Sequence, residues 1–227
     1  MLNTMEIDSM GHGVMDFVSF KKISRLSRDC IITEKIDGTN GCITIRENSA
    51  PIVLGGGKVV PFLVGSRKRW IFPENDNYGF AKWAYENADE LLKLGPGRHF
   101  GEWWGQGIQR KYGMKEKVFS LFNTRRWCLP DQEPKLISID PKTKIEKWQE
   151  KLPKCCRLVP VITTGLFTTN LIEDALVKLW RVGSYASPNY MNPEGIVIYH
   201  IPSGYMFKKT IKNDEKQKEE TDNIEHE

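Results

Sequence analysis

The 227-residue chain lacks any apolar run near the roughly 20 residues that a membrane-spanning helix requires. Its first residues include Glu6 and Asp8 and offer no uninterrupted apolar stretch, so no signal peptide is expected. Its five cysteines (Cys30, Cys42, Cys128, Cys155 and Cys156) are odd in number and contain no CxxC pair. That argues against a disulfide scaffold or a thiolate zinc site, and for a reducing, cytoplasmic setting. His12, His99 and His200 are scattered and read as structural or solvated. No internal repeat is present. The glycines of "LGGGKVV" do not fit GxxxxGK[ST], which excludes a phosphate-binding P-loop and leaves a hairpin turn.

What the chain does have is an uneven charge. Residues 212–227 hold seven acids and three bases, which leaves 30 bases against 22 acids in the body. A basic body suits a polyanionic partner, and the polar acidic tail cannot bury enough apolar surface to order itself. One compact domain over residues 1–211 and a loose tail over 212–227 are expected.

Alternating apolar residues predict strands at "CIITEKI", "CITIRE", "IVLGG", "KVVPFLVGS", "RHFGEWW", "KVFSLFN", "RLVPVITTG", "GIVIYH" and "YMFKKTI". Helical spacing predicts helices over "YGFAKWAYENADELLKL", "PKTKIEKWQEKLP" and "TNLIEDALVKLWRVG", the last with Asn170 and Glu173 as a capping box. Strands outnumber helices without a regular βαβ alternation, so the fold class is α+β with mainly antiparallel sheets.

The stretch "TEKIDGTNG" contains K-x-D-G, a pattern that chance supplies in about one chain in twenty of this length. Alone it reads equally well as an Asp-Gly turn beside a solvated lysine. Downstream, in order, come Ser66-Arg67 in "GSRKRW", Glu102 in "FGEWWG", Phe119 in "VFSLFN", Glu194 in "PEGIVIYH" and the lysines of "FKKTIK".

This series resembles the covalent nucleotidyltransferase superfamily of ATP-dependent ligases and capping enzymes. Within it, the chain looks most like polynucleotide RNA ligases of the phage RNA ligase 2 and RNA-editing ligase type. The likeness spans about Thr33 to Lys212 and implies a nucleotidyltransferase (ATP-grasp-like) domain. It makes Lys35 the nucleophile that takes AMP from ATP, with pyrophosphate expelled in line. An amine attacks only when neutral; crowding by cations and partial desolvation favour that form.

By the same likeness Asp37 contacts the ribose or orients the nucleophile, and Arg67 binds the nucleotide sugar and the strand end. Glu102 holds the ribose, Asn40 lies beside the nucleotide, and Phe119 stacks on adenine. Glu34 is a candidate for reading the adenine amino group. Glu194 sits near the phosphate and the water shell of Mg²⁺, with Mn²⁺ as the alternative ion. Lys208 and Lys212 bind phosphate. The implied partners are RNA ends, with DNA ends or a nicked duplex as the alternative substrate, and the compact format suggests a viral or phage source. A minimal DNA ligase and a catalytically inactive nucleic-acid-binding module are the competing readings.

Two departures stand out. The last motif of the family reads K-x-K on a strand, whereas "FKKTIK" puts Thr210 where the second lysine belongs if Lys208 is the first. Lys209 is then expected on the opposite face. Few residues follow that motif, so no OB domain is expected and a partner protein is a candidate substrate clamp.

Overall fold

The computed structural model describes residues 6–7, 13–14, 19–20, 22–212 and 214. His12 and all but residues 212 and 214 of the expected tail lie outside them. The strands of the two larger sheets are numbered in chain order. They are β1 (Asp29–Lys35), β2 (Thr39–Ile45), β3 (Leu63–Gly65), β4 (Trp70–Ile71), β5 (Gly97–Gly105) and β6 (Lys117–Leu121). The series continues with β7 (Cys156–Leu158), β8 (Val161–Leu166), β9 (Gly195–His200) and β10 (Met206–Thr210). One sheet has the order β7-β6-β5-β2-β3-β4, antiparallel except for the β6–β7 pair. The other, β8-β1-β9-β10, is antiparallel throughout.

The alternation of each strand decides which side chains enter a core. On the larger sheet Ile43, Val64, Ile71, Trp103, Phe119 and Leu121 pack against helices α1 (Phe80–Glu86) and α2 (Ala88–Leu92) through Phe80, Ala81, Ala84 and Leu91. On the smaller sheet Cys30, Ile32, Ile162, Ile196 and Ile198 cover Ala175 and Leu179 of helix α3 (Thr169–Val182). Residues of the other parity on both sheets are left to face elsewhere. Two short chain passages join the sheets. Ile36-Asp37-Gly38 carries β1 into β2, and Val159-Pro160 carries β7 into β8, where the Pro160 carbonyl accepts the Glu34 N–H at 2.9 Å.

Most predicted elements are present, and the "LGGGKVV" glycines do turn a hairpin that pairs Ile52 with Val60 and Val53 with Val59. Gly56 and Gly57 adopt φ of 77° and 80°, where only glycine is unstrained. The helix predicted across residues 78–94 is two helices, because the Asn87 side chain donates to the Trp83 carbonyl at 2.8 Å and Asn87 leaves helical geometry.

"PKTKIEKWQEKLP" is not a helix. Leu136–Ile139 and Glu146–Trp148 form an antiparallel ladder, and Glu150–Lys151 pairs with Trp127–Cys128. Turn chemistry wins over helical spacing there: Asp140 Oδ1 accepts the N–H groups of Lys142 and Thr143, and Lys144 adopts a φ of 59°.

The start of α3 also differs from expectation. Thr168, not Asn170, is its N-cap, and its side chain accepts the Leu171 N–H at 3.3 Å. Thr168→Ala is therefore expected to lower stability by about 1 kcal/mol, and Asn170→Ala by less than about 0.5 kcal/mol. Urea unfolding of the two variants checks this; equal losses would argue against the cap.

Candidate active site

Lys35 is the last residue of β1 and pairs with Gly195 of β9, which pairs in turn with Thr210 of β10. One step back along the strands lies the row Thr33, Val197 and Lys208. Both rows have the parity opposite to Ile32 and Ile196, so they face away from α3. Lys208 thus shares a face with Lys35, as expected. Lys209 takes the other face, where its ammonium pairs with Glu173 of α3 at 2.9 Å. Thr210 occupies Lys35's own row and donates through its hydroxyl to the carbonyl of Lys212, an exposed residue beyond the strand.

The Lys35 side chain is only 22% exposed and its ammonium donates to Glu194 Oε2 at 2.5 Å; Glu194 is buried. Across the β1–β2 passage, Glu102 of β5 accepts the Gly38 N–H on Oε1 and the Asn40 side-chain amide on Oε2, both at 3.1 Å. The backbone makes this approach close. A Cβ at Gly38 would lie 2.5 Å from the Trp103 carbonyl oxygen, so only glycine fits there. Burial is the main cause that raises the Glu102 carboxyl to about 7, reinforced by the Glu194 and Asp37 carboxylates and opposed by Lys35. Near neutral pH Glu102 therefore exists in both protonation states and can accept or donate toward a hydroxyl.

Asp37 is held from outside its own strand. Its carboxylate pairs with Arg110 at 3.0 Å, and its backbone N–H donates to the Tyr112 hydroxyl at 2.9 Å. Arg110 also donates to the Asn192 carbonyl at 3.2 Å, two residues before Glu194. Both residues lie in the 106–114 loop, where Gln109, Lys111 and Tyr112 adopt φ of 43°, 59° and 49°. Such backbone costs on the order of 1 kcal/mol per residue or more and persists only where contacts over-determine it. Here Tyr112 packs on Trp104 and Tyr190, at centroid distances of 5.2 and 4.7 Å, and its carbonyl accepts the Ser187 hydroxyl at 2.8 Å. Nothing local to "QRKY" in the sequence reveals the reach of Arg110 and Tyr112 to Asp37.

Two expected roles do not match the geometry. Glu34 is 1% exposed on the α3 side of β1, opposite to Lys35. Its carboxylate accepts the Ser184 hydroxyl at 2.6 Å and the N–H groups of Tyr185 and Ala186 at 2.8 and 2.9 Å. It anchors the 184–187 turn instead of facing a nucleotide. Phe119 is fully buried in the core, 4.9 Å from the Phe80 ring, on the face of β6 opposite to Ser120, the residue paired with Glu102. Phe122, three residues on and of Ser120's parity, is the half-buried aromatic on Glu102's side of the sheet. The alternation within "KVFSLFN" was the signal that distinguished the two.

Arg67 is exposed in the turn from β3 to β4. Gly65 pairs with Cys42, so that turn continues toward Asn40 and the Glu102 end of the sheet. Among the described residues no three His, Cys, Asp or Glu side chains are grouped to cage a metal ion. No helix among them is long and apolar enough to cross a membrane.

Two mainly antiparallel sheets with few helices and a lysine at their junction define a nucleotidyltransferase-type α+β domain. A sequence profile described as RNA ligase matches residues 28–212. The chain belongs to the RNA ligase family. Solved structures of a Naegleria gruberi RNA ligase share the fold. An apo variant is 16% identical, with a TM-score of 0.50 over 81% of this chain and 50% of that one. Two variants with ATP and Mn are 16% and 15% identical, with TM-scores of 0.51 and 0.50, each over 82% of this chain and 50% of theirs. This chain thus spans about half the length of those ligases. No curated protein matches it.

The Glu102 environment yields a pH-dependent stability. A carboxyl raised from 4.5 to about 7 holds its proton longer in the folded chain than in the unfolded one. Stability should therefore fall as pH rises through that window, by up to about 3 kcal/mol. Glu102→Gln cannot ionise and should gain on the wild type by that order between about pH 4.5 and 7 in urea titrations. A wild-type-to-variant difference that stays flat across that range would overturn the linkage.

Proposed function

We propose that the chain is the adenylating core of an ATP-dependent RNA ligase, with Lys35 as the AMP acceptor. The observation that supports it best is Lys35 itself, a half-buried amine at the junction of two sheets, ringed by Glu194, Asp37 and Glu102. In this reading the neutral Lys35 amine attacks the α-phosphorus of ATP. A P–N bond forms, the P–O bond to pyrophosphate breaks, and the nitrogen gives up a proton. AMP then passes to a 5′-phosphate end, and a 3′-hydroxyl displaces it to seal the strand.

Lys35 is engaged by Glu194 in an ion pair, and a nitrogen so engaged has no lone pair free to attack. Activation therefore requires Glu194 to be engaged elsewhere. A divalent ion, Mg²⁺ or Mn²⁺, would be held near Glu194 through its water shell, with the triphosphate supplying further oxygens, since the described residues offer no closed cage. Bound there it supplies neutralisation of phosphate charge.

Asp37, fixed by Arg110, and Glu102, fixed by Gly38 and Asn40, face the ribose hydroxyls. Arg67 reaches the sugar or the strand end from its turn, and Lys208 offers a phosphate contact on Lys35's face. Lys212 adds a cation beyond the strand. Adenine stacking, expected of Phe119, is assigned to Phe122. RNA is favoured over DNA by family membership, and sealing of matched RNA and DNA ends decides between them.

Incubation with α-labelled ATP and a divalent ion should label the protein, and Lys35→Ala should abolish the label. Persistent labelling of that variant would overturn the assignment. Phe122→Ala should raise the ATP concentration needed for half-maximal labelling about 5- to 100-fold, as the loss of one stacked base implies, with little loss of stability. Phe119→Ala should instead destabilise the fold by about 3–5 kcal/mol.

A further inference from the structure

The face of the larger sheet that carries Glu102 extends well beyond the lysine. Register defines a row across it: Trp70 of β4 pairs with Gly65 of β3, Gly65 with Cys42 of β2, and Cys42 with Phe100 of β5. The Phe122 N–H donates to the Phe100 carbonyl at 3.0 Å, which continues the ladder. Val64, Ile43 and Ile71, of the opposite parity, face the core, so this row faces away from it.

Trp70, on the edge strand β4, and Phe100, on the interior strand β5, are 44% and 47% exposed. The Trp70 ring lies 3.2 Å from where a Gly65 Cβ would be, so the missing side chain lets the indole lie over the strand. Cys42, between the two aromatics, is only 4% exposed. The result is a low shelf with one ring at each side, two residues along β5 from Glu102.

Its charge is one-sided. Arg98, of Phe100's parity, carries its guanidinium 5.1 Å from the Phe100 ring centroid. Arg67 and Lys68 are exposed in the turn that leads into Trp70. Glu102 is the one acid among the strand residues of this face, and it is buried.

We infer that this shelf binds unpaired nucleobases of the RNA strand that leads to the nucleotide site, a reading that rests on the proposed ligase function. Exposed rings flush with a sheet stack on bases whatever their identity, and the flanking cations meet the phosphates. A duplex hides its base faces, so the shelf commits to unpaired nucleotides. Trp70 and Phe100 are the stacking residues, and Arg98 and Lys68 the phosphate contacts. None of the four touches Lys35, Glu194 or Glu102 in the hydrogen-bond network described above.

The test uses the full chain and two probes, a fluorescein-labelled uridine dodecamer and an RNA duplex of the same length, read by anisotropy. Trp70→Ala and Phe100→Ala are each expected to weaken dodecamer binding about 5- to 100-fold. Phe100→Leu should weaken it likewise while preserving bulk, and Trp70→Phe should restore most of the affinity. Labelling by α-labelled ATP should stay at the wild-type level in all four variants. Wild-type affinity for the dodecamer in both alanine variants would overturn the shelf. So would a dependence on Trp70 and Phe100 seen with the duplex alone. A chain that binds the dodecamer through these rings yet never labels with ATP keeps the shelf and overturns the ligase reading, so the two failures are distinguishable.

Discussion

The structure depends on how closely Gly38 approaches β5. Between Lys35 and Thr39 the chain leaves one sheet and enters another within three residues. It can do so because Gly38 has no side chain to meet the Trp103 carbonyl, and because its N–H finds Glu102. That contact sets the distance between the end of β1 and the start of β2. It thereby brings a lysine from the smaller sheet and a carboxylate from the larger one to the same cleft. A bulkier residue would separate the sheets at the point where Lys35, Asp37 and Glu102 converge. The Asp-Gly pair that first reads as a surface turn is thus a packing constraint.

Around that point charge is concentrated and poorly solvated. Glu194, Glu102 and Asp37 act on one another, and within the cleft Lys35 and Arg110 answer them. Buried carboxylates that lack partners are expensive, so each is hydrogen-bonded: Glu194 by Lys35, Asp37 by Arg110, Glu102 by Gly38 and Asn40. Glu102 has the weakest compensation because its donors are neutral amides, and burial raises it to about 7. The partners themselves are tied together at a distance. Glu34 fixes the 184–187 turn, Ser187 of that turn fixes Tyr112, and the loop that carries Tyr112 presents Arg110 to Asp37. Strained backbone at Lys111 and Tyr112 is tolerable because this chain of contacts holds it.

Legibility followed the range of the interactions. Lys35, Asp37, Glu102 and Glu194 stand in short local patterns in or beside strands, and the family resemblance of those patterns anticipates their convergence. Arg110 and Tyr112 could not be, because they lie 73 and 75 residues from Asp37 and act through a loop with no regular geometry. Phe119 failed for a subtler reason. The strand was right, but side chains alternate, and "KVFSLFN" offers two aromatics of opposite parity. Only the pairing of Ser120 with Glu102 says which one shares the cleft. The segment "PKTKIEKWQEKLP" failed because its apolar spacing suits a helix as well as a hairpin, and the Asp140 turn decides the outcome.

The last strand shows how little charge the fold itself brings to bear on a phosphate. Its two lysines and the threonine that follows them diverge. Lys208 faces the cleft, Lys209 is bound to Glu173 on the far side, and Thr210 puts a hydroxyl into the row of Lys35. Because strand neighbours sit about 4.8 Å apart, Thr210 lies two strands, or roughly 10 Å, from Lys35. That hydroxyl is turned toward the Lys212 carbonyl, so it tightens the strand's end rather than presenting a donor freely. On the proposed reading a triphosphate would meet two lysines on this face, Lys35 and Lys208, and the first of them is consumed by the reaction. The remaining negative charge must be balanced by a divalent ion and by the basic turn at Arg67 and Lys68. On that proposed reading the weight of catalysis shifts from a strand of lysines toward groups on the opposite sheet, which is the sheet that carries the proposed aromatic shelf.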